Sequence, residues 1–181
     1  DALGLRTLGI IEDCGCITNE ELYDLPLDDH EVLGVFNDRK FAGIFQFEGG
    51  AQRKISTQIP VKSFRQIDHI TALARPGPLG GGGALSYIKR NNGEEPIDLI
   101  HPLAEPYIRD THGVMLYQEQ LMFIGRNLGK LSWQEVTLMR KSMSGRKGEE
   151  FFNQMRTSFV TGATENGMLE ADAVRLWKSM V

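Results

Sequence analysis

Cysteine is scarce in this chain of 181 residues: Cys14 and Cys16 are the only two. With one residue between them they are poorly spaced for a disulfide, and no CxxC pair or neighbouring histidine completes a zinc site. His30, His69, His101 and His112 are scattered without metal-ligand spacing and read as structural. There is also no run of about 18 apolar residues and no basic, apolar, small-residue leader. The expectation is therefore a cytoplasmic protein with reduced thiols, no membrane span and no secretory signal. Internal repeats are absent and, apart from Gly80 to Gly83, so is low complexity.

What is present suffices for a core, since 41% of the residues are hydrophobic. The net charge of −4 conceals an asymmetry along the chain. Residues 1–48 carry eleven acidic side chains against Arg6, Arg39 and Lys40. Between Arg126 and Lys147 there are six cations and one anion, Glu135. Such a block suits either a phosphate-binding surface or a solvated helix face. The chain starts at Asp1 without methionine and stops at Val181 inside a helical pattern, so both ends are expected to be cuts within a larger protein.

Helical periodicity dominates. Ser63 and Gln66 have capping-box spacing before Phe64, Ile67, Ile70 and Ala74 on one face. Thr18-Asn19-Glu20-Glu21 offers a second such box before a short helical turn, and Ser132-Trp133-Gln134-Glu135 a third. Helices are predicted from about Gln52, over Tyr117 to Leu128 with Gly129 as stop, over Trp133 to Met143, over Phe152 to Ala163 closed by Asn166-Gly167, and from Leu169 to Met180. Strand candidates are 43–48, where apolar and polar residues alternate, and 113–117. The class is mainly α with minor β.

Three segments could carry chemistry. Ala74-Arg75-Pro76-Gly77-Pro78-Leu79 stops a helix, because two prolines remove amide donors and push their preceding residues out of the α region. Arg75 is thereby held at a carboxyl end, either as a phosphate contact or as a cation that offsets the helix dipole. Arg140 and Lys141 lie about 100° apart on a helix and can converge on one anion, with Arg146 and Lys147 beyond a flexible turn. Four cations around a turn suit a triphosphate; the alternative is a solvated helix terminus. Tyr117-Gln118-Glu119-Gln120 sets an aromatic ring and amides at a helix start, where Tyr117 could stack on a base or simply pack in the core, and Gln118 could bond a base edge or phosphate.

The order Asp1-Ala2-Leu3-Gly4-Leu5-Arg6-Thr7-Leu8, Gly43-Ile44-Phe45-Gln46-Phe47-Glu48, Ala74-Arg75-Pro76-Gly77-Pro78-Leu79, Gly113-Val114-Met115-Leu116-Tyr117-Gln118-Glu119-Gln120 and Met139-Arg140-Lys141-Ser142-Met143 resembles the alpha subunit of bacterial DNA polymerase III, the C family of replicative polymerases. The resemblance implies a helical fingers region, with residues 1–8 ending the palm and 9–181 beginning the fingers. It implies Asp1 as catalytic and as one of three aspartates that hold two Mg²⁺ ions. Arg75, Arg140, Lys141 and Lys147 fall near the triphosphate, and Tyr117, Gln118 and Gln46 at further motif positions. Primer–template DNA and a dNTP are the implied ligands, and a sliding clamp and other replisome subunits the implied partners of parts outside this chain. The family usually has two arginines where this chain has Arg140-Lys141, and glycine with a lysine run where it has Ser144-Gly145-Arg146-Lys147. A rival reading is a non-catalytic helical module that binds nucleic acid or protein through the basic block. An Asp-x-Asp pair upstream of Asp1 in the parent frame separates the two.

Overall fold

The computed structural model describes residues 4–19, 21, 24–75, 82–143 and 149–180. Within them the chain forms ten α-helices and no strand. These are α1 (Arg6–Thr18), α2 (His30–Asn37), α3 (Gly50–Ser56), α4 (Phe64–Leu73), α5 (Gly83–Asn91), α6 (Glu105–Ile108), α7 (Gln118–Asn127), α8 (Trp133–Met143), α9 (Glu149–Glu165) and α10 (Glu170–Met180). The mainly α expectation holds.

Several helix starts follow from their capping residues. Ser63 Oγ accepts the Gln66 N–H at 3.4 Å, and Gln66 Oε1 in return accepts the Lys62 N–H at 2.7 Å, so α4 begins where the spacing predicts. At α8, Ser132 Oγ accepts the Glu135 N–H while Glu135 Oε2 accepts both the N–H and O–H of Ser132. That reciprocal bonding holds the Glu135 carboxyl below its usual range. The Thr18 box is a correction: Thr18 is the last residue of α1, its hydroxyl donates back to Cys14 O, and Asn19 closes the helix in the left-handed region at φ 56°.

Both strand candidates are also corrected. In 43–48 the Ile44 N–H donates to Phe41 O at 3.1 Å and the Phe47 N–H to Ile44 O at 3.0 Å. These are consecutive tight turns, so Ile44 and Phe47 point inward at i,i+3 spacing while Phe45 is exposed. Phe47 is fixed by ring contacts to Phe36 at 5.0 Å and Phe41 at 6.0 Å. In 113–117, side chains take the backbone groups that a ladder would need. Thr111 Oγ1 donates to Val114 O at 2.6 Å, and Gln120 Oε1 accepts the N–H groups of Leu116 and Tyr117 at 2.7 and 2.9 Å. The turn before it requires Gly113, at φ 77°, where an added Cβ would lie 2.1 Å from Asp98 O.

Among the described residues, two apolar clusters form the core. The first gathers Leu33, Phe36, Phe47, Ile70, Leu73 and Tyr87 from α2, α4, α5 and the intervening loops. The second packs α6 to α10 around Ile124, Val136, Met139, Phe159, Leu176 and Trp177. Full burial of a ring such as Phe159 contributes about 2 to 3 kcal/mol. In contrast α1 buries no side chain, and Cys14 and Cys16 on it are free, exposed thiols.

Candidate functional site

A cleft of about 400 Å³ lies where α4 meets the segment from α6 to the first turns of α7. Its lining includes Arg65 and Asp68 from α4, Tyr107 from α6, Asp110 and Thr111 from the following turn, and Tyr117 and Gln120 at the head of α7. Gln120 is nearly buried and spends its whole amide internally. Its oxygen holds the backbone at 116 and 117, and its Nε2 donates to Tyr107 O at 2.9 Å and Thr111 Oγ1 at 2.8 Å. One side chain thus ties α6, the turn and α7 into a single wall.

Polar bonds join that wall to α4. The Tyr117 hydroxyl donates to Asp68 Oδ2 at 2.6 Å. Arg65 donates through Nε to Asp110 Oδ2 at 2.7 Å and stands 3.7 Å from Asp68 Oδ2. Its guanidinium also lies 5.9 Å from the centre of the Tyr117 ring. The hydrogen bond to Asp110 raises the Arg65 pKa against the opposing effect of burial. Burial, followed by the hydrogen bond to Asp68, pushes the Tyr117 phenol upward and keeps it protonated as a donor.

Behind the cleft, His69 is 2% exposed and its Nδ1 is 2.7 Å from the Tyr87 hydroxyl. His69 Nε2 has no hydrogen-bond partner and faces Asp110 Oδ2 at 3.7 Å. Burial lowers the His69 pKa despite that carboxylate, and burial likewise lowers His112, whose ring lies 4.9 Å from Tyr87. The expectation that these two histidines serve structure agrees with their packing on Tyr87. No group of three or more His, Cys, Asp or Glu side chains converges as a metal site among the described residues.

Of the segment Tyr117-Gln118-Glu119-Gln120 singled out from sequence, Tyr117, Glu119 and Gln120 line the cleft. Gln118 is exposed in the first turn of α7. Arg75 is exposed, directly after the C-cap residue Ala74 of α4. Arg140, half-buried, and Lys141, exposed, occupy the last turn of α8. Gln46 is exposed, at φ 63° within the turns that replace a strand. Asp1 and Lys147 lie outside the described residues, as do 76–81 and 144–148 of the turns flanking Arg75 and Lys141. Arg65, Asp68 and Asp110 were not anticipated. The first two share a helix face at i,i+3 spacing, which was a readable signal; the 45-residue separation from Arg65 to Asp110 left none.

A phosphate does not suit this cleft, because Asp68, Asp110 and Glu119 outnumber Arg65 in its lining. The arrangement instead holds one tyrosine by its hydroxyl and its ring.

Residues 7–167 match the family described as the bacterial DNA polymerase III alpha subunit finger domain. The chain is 34% identical to the DNA polymerase III subunit alpha of Aquifex aeolicus over 99% of its own length and 16% of that protein. It is 33% identical to the subunit of the same name from Halalkalibacterium halodurans, over 100% of this chain and 16% of that protein. For Helicobacter pylori the values are 33%, 100% and 15%. The chain therefore spans about a sixth of the length of these curated relatives.

Proposed function

Because the chain belongs to the bacterial DNA polymerase III alpha subunit family and carries its finger domain, we propose that it serves a DNA-directed DNA polymerase, with 1–8 closing the palm and 9–181 opening the fingers. The reaction is attack of a primer 3′ hydroxyl on the α-phosphate of a dNTP, with pyrophosphate as leaving group. Arg75, Arg140, Lys141 and Lys147 neutralise the triphosphate, so that charge developing on the transferred phosphate meets fixed donors rather than reorienting water. Tyr117 and Gln118 face the nucleotide from the head of α7. Primer–template DNA is the second ligand, and clamp and replisome contacts belong to parts outside this chain, in a cytoplasmic setting.

In this reading Asp1 would be one residue holding two Mg²⁺ ions, which when bound would supply positive charge to the reacting oxygens. Among the described residues no group of three or more His, Cys, Asp or Glu side chains converges, and this reading assigns the ions to Asp1 together with further aspartates of the intact polymerase. No helix among the described residues is long and apolar enough to cross a membrane.

The observation that carries the proposal is that one finger-domain match, 7–167, contains Arg75, Tyr117-Gln118 and Arg140-Lys141 together. In the intact polymerase, Arg140→Ala is expected to raise the dNTP KM about tenfold and to lower kcat, the worth of one charge-assisted contact that tightens in the transition state. Unchanged incorporation kinetics would contradict the assignment. The 181-residue chain by itself is expected to extend no primer.

A further inference from the structure

The acidic cleft presents a difficulty for a protein that handles nucleic acid: its most connected side chains are carboxylates beside the proposed nucleotide-facing residue Tyr117. As shown above, those carboxylates are already engaged with Arg65 and Tyr117. A ligand for them would have to displace internal bonds. Their arrangement is better matched to holding the head of α7 against α4.

We propose that Asp68 is a positioning residue for nucleotide binding, acting through the Tyr117 hydroxyl; this rests on the reading of Tyr117 as a nucleotide-facing group. Three features of the geometry support it. The bond from Tyr117 Oη to Asp68 Oδ2 is short, at 2.6 Å, and spans 49 residues of sequence. Asp68 is itself steadied by Arg65, which Asp110 anchors from the opposite wall. Finally, Tyr117 is the N-cap residue of α7, and its N–H is held by Gln120. Backbone and hydroxyl are thus both fixed, leaving the ring little rotational freedom. A tyrosine without the Asp68 bond keeps its place in the chain but samples more ring orientations, and that ordering entropy is then lost on nucleotide binding.

The test uses the intact polymerase and reads the dNTP KM, kcat and primer–template affinity. The Asp68 side chain is 46% exposed and lies mid-helix, so Asp68→Ala is compatible with folding. It is expected to raise the dNTP KM about fivefold, the worth of one part-exposed charge-assisted hydrogen bond. Asp68→Asn, whose amide oxygen still accepts the phenol proton, recovers at least half of that loss. In a Tyr117→Phe background the Asp68→Ala change adds less than about twofold, because its target hydroxyl is gone. A purely structural Asp68 would act equally in both backgrounds, and that result would overturn the proposal. If Tyr117→Ala raises the dNTP KM but Asp68→Ala does not, positioning fails while the nucleotide reading stands. An unchanged KM in Tyr117→Ala overturns both.

Discussion

The two clusters of this molecule are built by different means. The first, from α2 to α5, relies on loops and turns whose shape is set by side-chain hydrogen bonds. Asn37 bridges to Val61 with both amide groups, Arg90 donates to His112 O, and His69 meets Tyr87 inside the core. The second is helix against helix, with contacts close enough to demand glycine. At Gly162 an added Cβ would stand 2.0 Å from Gly129 O, and at Gly129 it would stand 2.3 Å from the Phe159 ring. The difference teaches where precision resides. Polar bonds aim individual residues such as Tyr117, while dry packing gives α8, with Arg140 and Lys141 at its end, a base that yields little.

This contrast can be tested by damaging each half in its own terms. Gly162→Ala forces backbone against backbone, and urea unfolding of this chain should show a loss of about 3 kcal/mol, the upper end for overpacking. A loss below about 1 kcal/mol would mean that the α9 contact gives way easily. Tyr87→Phe keeps the ring but deprives buried His69 Nδ1 of its partner, for an expected loss of about 1 to 2 kcal/mol. The acid response is smaller. Burial holds His69 and His112 below the ordinary imidazole value, so the folded state prefers neutral rings. That contribution is complete above about pH 6.5 and is lost as pH falls through that value towards the folded pKa values. Unfolding free energy should be level around pH 7 to 8 and fall below about 6.5, by at most about 1.4 kcal/mol per pH unit for each histidine. A His69→Gln chain should show a shallower fall; an identical slope would remove His69 from the account.

Local chemistry made the second half readable. The Ser132 box, the apolar face of Val136 and Met139, and the closure at Asn166-Gly167 all depend on residues within about four positions of each other, and the structure keeps them. The first half was harder because its distinctive bonds are long-range. Nothing near 43–48 signals that alternation there serves two turns around Phe47, whose neighbours Phe36 and Phe41 come from α2 and the loop after it. The Thr18 box failed for a related reason: the same polar residue can end a helix by bonding backward as readily as start one. At the site, motif order led to Tyr117, Arg75 and Arg140-Lys141, while the cleft around Tyr117 required Asp110, 45 residues from its partner Arg65.

The central claim, that the cationic residues of this chain hold the triphosphate of an incoming nucleotide, is tested most directly by single-turnover incorporation with the intact polymerase. Wild type would be compared with Arg75→Ala and Arg140→Ala at saturating primer–template. The account predicts that the apparent dNTP Kd rises about tenfold in Arg140→Ala and rises also in Arg75→Ala, with primer–template affinity changed by less than about twofold. An unaltered dNTP Kd together with weakened primer–template binding would contradict it and assign the basic block to DNA alone.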